Sequence, residues 1–323
     1  MSKHQTSRGN EKVAGNGQFK KKKIKEAFEE YIQFITYAKD LKERTIKEHK
    51  NNFRYFCEFL KKIGKKITYV DQVNQDLCIN YWIYMKRDQN LKNATRRLRT
   101  RSLKAQFYFY FKKGYIGENP WIQEFIDLND EKEPVRYLKK KEVLLILNSI
   151  DTSTSKGSCT KSLISTLLDA GVRINEALNL DEADIDFDRN LIHIWESKND
   201  EERYAPINRK LAFMLKELLK KNSKIKNRVP ALFINHHDGT RLTYDQVKNE
   251  IKKIRKETGV YFTPHSFRHT FAVWYLVHGG DLASLMENGG WKTLKAVKKY
   301  LNVSKPLAIE QHKKHSPFNQ LTE

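Results

Sequence analysis

Four short stretches of the chain hold residue types that handle a phosphate. In LLDAGVRINEALNL, Arg173 follows Gly171, and Glu176 lies three residues further on. An arginine presents paired N–H donors to a phosphate or carboxylate, and a glutamate at i+3 is placed to hold that guanidinium. In ESKNDEERYAPI, Lys198 falls at the tip of a predicted hairpin, where a long cationic side chain reaches into a groove. In TPHSFRHTFA, Thr263-Pro264 marks a helix start, and His265, Arg268 and His269 follow at i, i+3 and i+4. That spacing sets imidazoles and a guanidinium on one helical face beside an N-terminus, which favours anions. In NGGWKTLKAVKKYLNVS, Gly289-Gly290 breaks the chain, Trp291 follows, and Tyr300 stands nine residues later. Taken singly, each stretch has an ordinary structural reading: an Arg–Glu pair, a solvated turn lysine, a polar helix start, two core aromatics. The histidines show no HExxH or related spacing, and His265 and His269 lack the carboxylate and third ligand that a zinc site needs.

These stretches need elements to position them. After an acidic, proline-containing segment, DLNDEKEP, helical periodicity resumes at LKKKEVLLILNSI, and a second helix is predicted over 161–180. Two β-type runs follow, 191–195 and 204–207, separated by the turn that carries Lys198. Helices are predicted over 209–221, 244–258, 266–278 and 282–287, with a last one containing Tyr300. Upstream, apolar residues recur at helical spacing from Ile24 to Ala38. A second helix is predicted from Thr45, where Thr45 and Glu48 form a capping-box pattern, to Gly64. A third spans 74–86, a fourth 93–113, and Asn119-Pro120 ends the set. The expected fold class is mainly α with a small antiparallel β-sheet. The expected domains are a disordered basic arm (1–21), a helical domain (22–121), a linker (122–134), a catalytic domain (135–304) and a C-terminal tail (305–323).

Charge names the partner class. Lys plus Arg number 61 against 39 for Asp plus Glu, a net charge of +22. Such an excess repels itself unless a polyanion offsets it, and nucleic acid is the usual polyanion; a basic soluble surface or a ribosomal association is the plainer reading. The fourth helix opens with KNATRRLRTRSLK, and its cations Arg96, Arg97, Arg99, Arg101 and Lys104 are expected to face water or DNA phosphate. Three scattered cysteines suggest neither a disulfide framework nor zinc, and so a reducing cytoplasm. Neither an apolar run long enough to cross a bilayer nor a secretory signal is evident.

Order and spacing together say more than any single stretch. From about residue 20 onward the chain resembles the tyrosine recombinase (phage integrase) family. GVRINEAL is similar to the family's first arginine box and places Arg173. SKNDEERYAP is similar to its hairpin pattern, with Lys198, Arg203 and Pro206 in the matching positions. HSFRH is similar to its His-x-x-Arg-His box, Gly290-Trp291 to its Gly-His/Trp position, and Tyr300 to its nucleophile. IEQHKKHSPF resembles tails of Gram-positive members, and the helical N-terminal half resembles the family's core-binding (SAM-like) domain. Three departures stand out: Trp at 291 where His is commoner, LKAVKK before Tyr300 where a Thr pair is frequent, and an acidic hairpin turn.

The resemblance implies a site-specific recombinase. Tyr300 attacks a phosphodiester of double-stranded DNA, forming a 3′-phosphotyrosyl bond and releasing a 5′-hydroxyl. His265 assists the phenol's proton loss, Arg173, Arg268 and Trp291 stabilise the transition state, and Lys198 protonates the leaving oxygen. Glu176 orients Arg173, and His269 supports the same helix. No cofactor and no metal are implied, since the phosphotyrosine conserves the bond energy. The family acts as a homotetramer on paired sites through a four-way junction, and accessory DNA-binding proteins are common partners. The rival readings are a type IB topoisomerase, which shares this chemistry, and a catalytically silent DNA-binding regulator. A metal-dependent nuclease lacks a carboxylate cluster here.

Overall fold

The computed structural model describes residues 19–121, 135–196, 201–304, 312, 313 and 316, in two units that divide between Glu133 and Pro134. Most of the basic arm, the whole linker, the turn with Lys198 and most of the C-terminal tail lie outside the described residues.

In the first unit, α1 (Ile24–Gln33), α2 (Glu43–Lys62), α3 (Gln75–Arg87) and α4 (Asn93–Lys112) turn their apolar stripes inward. Phe56 lies at the centre, its ring 5.2 Å from Tyr81, 5.7 Å from Trp121 and 6.4 Å from Phe107, all near edge-to-face. Each such buried ring contributes roughly 1.5–3 kcal/mol. Asn74 caps α3, its Oδ1 accepting the Leu77 N–H at 3.0 Å. Two elements differ from the sequence reading. The stretch from Ile24 to Ala38 is not one α-helix but α1 followed by a π-helical turn, Phe34–Ala38. The second helix starts at Glu43, so Thr45 lies inside it; the Lys42 carbonyl already accepts from the Thr45 and Ile46 N–H groups.

A larger correction concerns the cationic face of α4. Arg96 was expected to face outward with its neighbours, but it is 7% exposed. Its guanidinium stacks 3.8 Å from the centroid of the Trp82 ring, and it donates to the Trp82 carbonyl at 3.1 Å and to Asn93 Oδ1 at 3.0 Å. An indole face and a carbonyl on α3 thus hold it in place. Arg99 stacks over Tyr55 at 4.0 Å and donates to Gln89 Oε1 at 3.0 Å. Arg101 is exposed, and Arg97 and Lys104 are half-buried.

The second unit surrounds a three-stranded antiparallel sheet, β1 (Ile185–Asp186), β2 (Leu191–Glu196) and β3 (Glu201–Pro206), with α5 (Lys140–Asn148), α6 (Ser155–Asp169), α7 (Ile174–Asn179), α8 (Arg209–Asn222), α9 (Tyr244–Thr258), α10 (Pro264–Val277), α11 (Leu282–Gly289) and α12 (Leu294–Ser304). This is the fold class expected from the sequence. The β2–β3 register pairs Ile192 with Ala205 and Ile194 with Arg203. Side chains alternate across a strand, so Arg203 shares the inward face with buried Ile192 and Ile194, while Trp195 is exposed.

The helix expected over 161–180 is broken. α6 ends at Asp169, Gly171 takes a left-handed φ of +61°, and α7 begins only at Ile174. A left-handed residue just past a helix end favours glycine, and a Cβ here would also meet the Phe271 ring at 2.1 Å. Arg173 is therefore the residue before a short helix, not part of a long one.

Candidate active site

The break at Gly171 frees two groups for use elsewhere. Arg173, extended at the N-cap of α7, points its side chain back over the first turn. Glu176 accepts the Arg173 backbone N–H at 2.8 Å and also pairs with its guanidinium. From β3, Arg203 Nη2 reaches the same carboxylate at 2.7 Å. Burial pushes the Glu176 carboxyl up, but Arg203 and Arg173 outweigh burial and hold it below the usual carboxylate range.

Arg268 stands in the first turns of α10 and is 2% exposed. One arm donates to the Gly171 carbonyl, and the other to the Gly289 carbonyl at 2.6 Å. Its guanidinium also lies 4.1 Å from the centroid of the Trp291 ring. Burial, and then the neighbouring Arg173, bring it down to about 10, so it stays charged at neutral pH. Gly290 turns the chain at φ +65° after α11, and its carbonyl accepts Arg173 Nη2 at 3.1 Å. A Cβ at Gly290 would come within 2.8 Å of the Arg203 guanidinium. Arg173 and Arg203 therefore share one carboxylate, and the carbonyls of Gly171, Gly289 and Gly290 orient Arg268 and Arg173.

α12 carries Tyr300 into a cluster with Phe271, Val273, Leu285 and Val297. The Tyr300 residue is 1% exposed. Its hydroxyl lies 2.7 Å from His269 Nδ1, and its ring 5.6 Å from that of Trp291. His265 packs edge-on against His269, ring centroids 4.5 Å apart. Burial pushes the phenol up to about 12. It also lowers both imidazoles: His269 falls to about 3, with Lys299, His265 and Arg268 adding to burial, and His265 is lowered by burial and then by Arg268, Lys299 and Arg173.

The structure brings Arg173, Glu176, His265, Arg268, His269, Trp291 and Tyr300 into one region; Lys198 lies outside the described residues. Two features went beyond the sequence reading. Arg203, named there only as part of the hairpin pattern, is a full partner of Glu176. His269, expected to support its helix, is the imidazole that touches Tyr300. The Arg-x-x-Pro end of the hairpin was the available signal for the first; nothing in the spacing separates His265 from His269, which lie on one face. Among the described residues no group of three His, Cys, Asp or Glu is arranged to hold a metal ion, and no helix is long and apolar enough to cross a membrane.

Comparison with known proteins decides the family. The phage integrase family model matches residues 136–306, and the phage integrase SAM-like domain model matches residues 23–126. This chain belongs to the phage integrase family. It is a tyrosine recombinase. Tyrosine recombinase XerD of Listeria monocytogenes serotype 4b (strain F2365) is 26% identical over 300 residues, 91% of this chain and 99% of that protein. Tyrosine recombinase XerC of Anoxybacillus flavithermus (strain DSM 21510 / WK1) is 28% identical over 284 residues, 85% of this chain and 92% of that protein. In fold, the recombinase is similar to the XerH site-specific recombinase bound to palindromic difH substrate, with a TM-score of 0.71 at 20% identity over 89% of this chain and 83% of that one. It is likewise similar to the Tn1549 transposon integrase in complex with circular intermediate DNA, with a TM-score of 0.67 at 22% identity over 85% of this chain and 94% of that one. The two matched segments fall on either side of the division between the two units.

Proposed function

We propose that this site-specific DNA recombinase cuts and rejoins strands through Tyr300, and that the convergence of Arg173, Arg203 and Arg268 beside the tyrosine is the observation that carries the assignment. The scissile phosphate sits against Arg173 and Arg268, whose N–H donors face the charge that builds on the non-bridging oxygens. Trp291 orients Arg268 through its ring and supplies an indole N–H to the same oxygens. Tyr300 Oη forms a bond to phosphorus, the bond to the 5′ oxygen breaks, and Lys198 gives that oxygen a proton. His269 holds the phenol before attack. His265 takes the phenol proton once Tyr300 Oη has moved towards the phosphate. Rejoining reverses these steps with a 5′-hydroxyl from the other duplex, by way of a four-way junction. Glu176 fixes Arg173 and Arg203 in place.

Double-stranded DNA is the substrate, with the recombinase working in the cytoplasm as a homotetramer on paired sites. Residues 305–323 dock on a neighbouring copy, and accessory DNA-binding proteins set direction. Arg97, Arg99, Arg101 and Lys104 of α4 follow the phosphate backbone, and Arg96 does not. Arg101→Ala should lower the slope of log binding constant against log salt by about one. Arg96→Ala should leave that slope alone and lower the stability of the first unit by about 1–3 kcal/mol, read by denaturant unfolding. Equal slope changes in the two variants would return Arg96 to the interface.

The direct test uses a nicked duplex carrying a site selected from random DNA by binding, incubated in chelator without ATP. A covalent protein–DNA adduct, mapped by mass spectrometry to the Tyr300 peptide, is the expected product. Specific binding with no adduct, or an adduct on another residue, would overturn the assignment. Recombination between two such sites separates this activity from topoisomerase relaxation.

A further inference from the structure

The segment before Tyr300 departs from the family pattern by reading LKAVKK, and the second lysine of its final pair, Lys299, has a place in the site. Lys299 is exposed, yet its ammonium lies 4.9 Å from the centroid of the Tyr300 ring. The hydroxyl of that tyrosine lies 2.7 Å from His269 Nδ1, and His269 packs against His265 at 4.5 Å between ring centroids. Lys299 forms no ion pair among the described residues. We infer that Lys299 is a positioning residue for the proton transfer: its ammonium reinforces burial in keeping the His265–His269 pair neutral, so that an imidazole lone pair is available when the Tyr300 proton leaves. The inference rests on the reading of Tyr300 as the nucleophile.

The electrostatics agree with this geometry. After burial, Lys299 is the largest charged influence lowering His269 and the second, behind Arg268, lowering His265. The other charged groups acting on the pair are Arg268 from the same helix and Arg173 from the start of α7. Lys299 is itself lowered by burial and by Arg268, as a cation held near other cations must be. Glu176 acts instead on Arg268, Arg173 and Arg203. A general base works only while deprotonated, so the depressed imidazoles stay competent well below their ordinary titration range. If Lys299 loses its charge, the imidazoles titrate at higher pH, and the acid limb of the cleavage profile must move up with them.

The test compares Lys299→Gln, Lys299→Arg and, as a control on the same helix, Lys298→Gln. The full-length protein without DNA is titrated by NMR of the imidazole Cε1–H signals. Single-turnover cleavage of the nicked duplex is then measured across pH. Lys299→Gln should raise both imidazole titrations and shift the acid limb up by about one pH unit, a size set by one partly screened charge. Lys299→Arg should restore both, and Lys298→Gln should move neither titration. Unchanged titrations in Lys299→Gln, or equal shifts in Lys298→Gln, would overturn the inference. The DNA-free titrations do not depend on which residue attacks DNA, so failure of the nucleophile assignment would show separately, as an adduct absent or mapped elsewhere.

Discussion

Tyr300→Phe will form no covalent adduct with the nicked duplex, a loss of about 10⁴-fold or more to the detection floor, while binding the selected site as tightly as the wild type. The phenylalanine ring fills the same space among Phe271, Val273, Leu285 and Val297, so the cluster that buries residue 300 is kept. What disappears is the hydroxyl, and with it the contact to His269 Nδ1. One hydrogen bond of that kind is worth about 1 kcal/mol net, so unfolding should shift only slightly. That pairing of outcomes is the informative part. Lost cleavage with lost binding or a collapsed melting temperature would point to misfolding and leave the nucleophile unassigned. The phenol is pushed up to about 12, so it is protonated throughout the physiological range. Any cleavage therefore includes a proton transfer, and wild-type single-turnover rates should rise with pH through the imidazole titrations and level off above them.

Arg268→Lys will lose about 10³-fold in single-turnover cleavage although the charge is conserved. The guanidinium is a rigid fork that reaches the Gly171 and Gly289 carbonyls at once and lies over the Trp291 ring. An ammonium is a point donor, so it satisfies one carbonyl and leaves the other buried without a partner. The expected loss of stability is about 1–3 kcal/mol by denaturant unfolding. Cleavage within about tenfold of wild type would mean that charge alone suffices at this position, and the clamp described above would be wrong.

What the sequence made legible followed from local pattern. Strand alternation located β2 and β3, and helical periodicity located the long helices from α2 onward to within a few residues, except α6, which was expected over 161–180 and spans Ser155–Asp169. The spacing around Arg268 and Tyr300 was visible because each motif is contiguous. Tertiary choices were not. Apolar periodicity runs unbroken through AGVRINEAL, yet the Phe271 ring leaves no room for a side chain at Gly171, and the chain turns there. Arg96 and Arg101 look alike in the sequence, but only Arg96 has Trp82 and its carbonyl opposite. His265 and His269 share a helical face, and only the approach angle of α12 selects His269 as the neighbour of Tyr300. The role of Arg203 depended on a cross-strand register that no local pattern states.

The two carbonyls that hold Arg268 belong to segments far apart along the chain, one before the sheet and one at the end of α11. The clamp therefore exists only in a polypeptide that has both. A product of premature termination or proteolytic nicking that keeps Arg173 but lacks Gly289 has neither a fixed Arg268 nor Tyr300. On the proposed reading, an incompletely translated chain that ends before Gly289 still carries positive charge for DNA but lacks the residues assigned to cutting it.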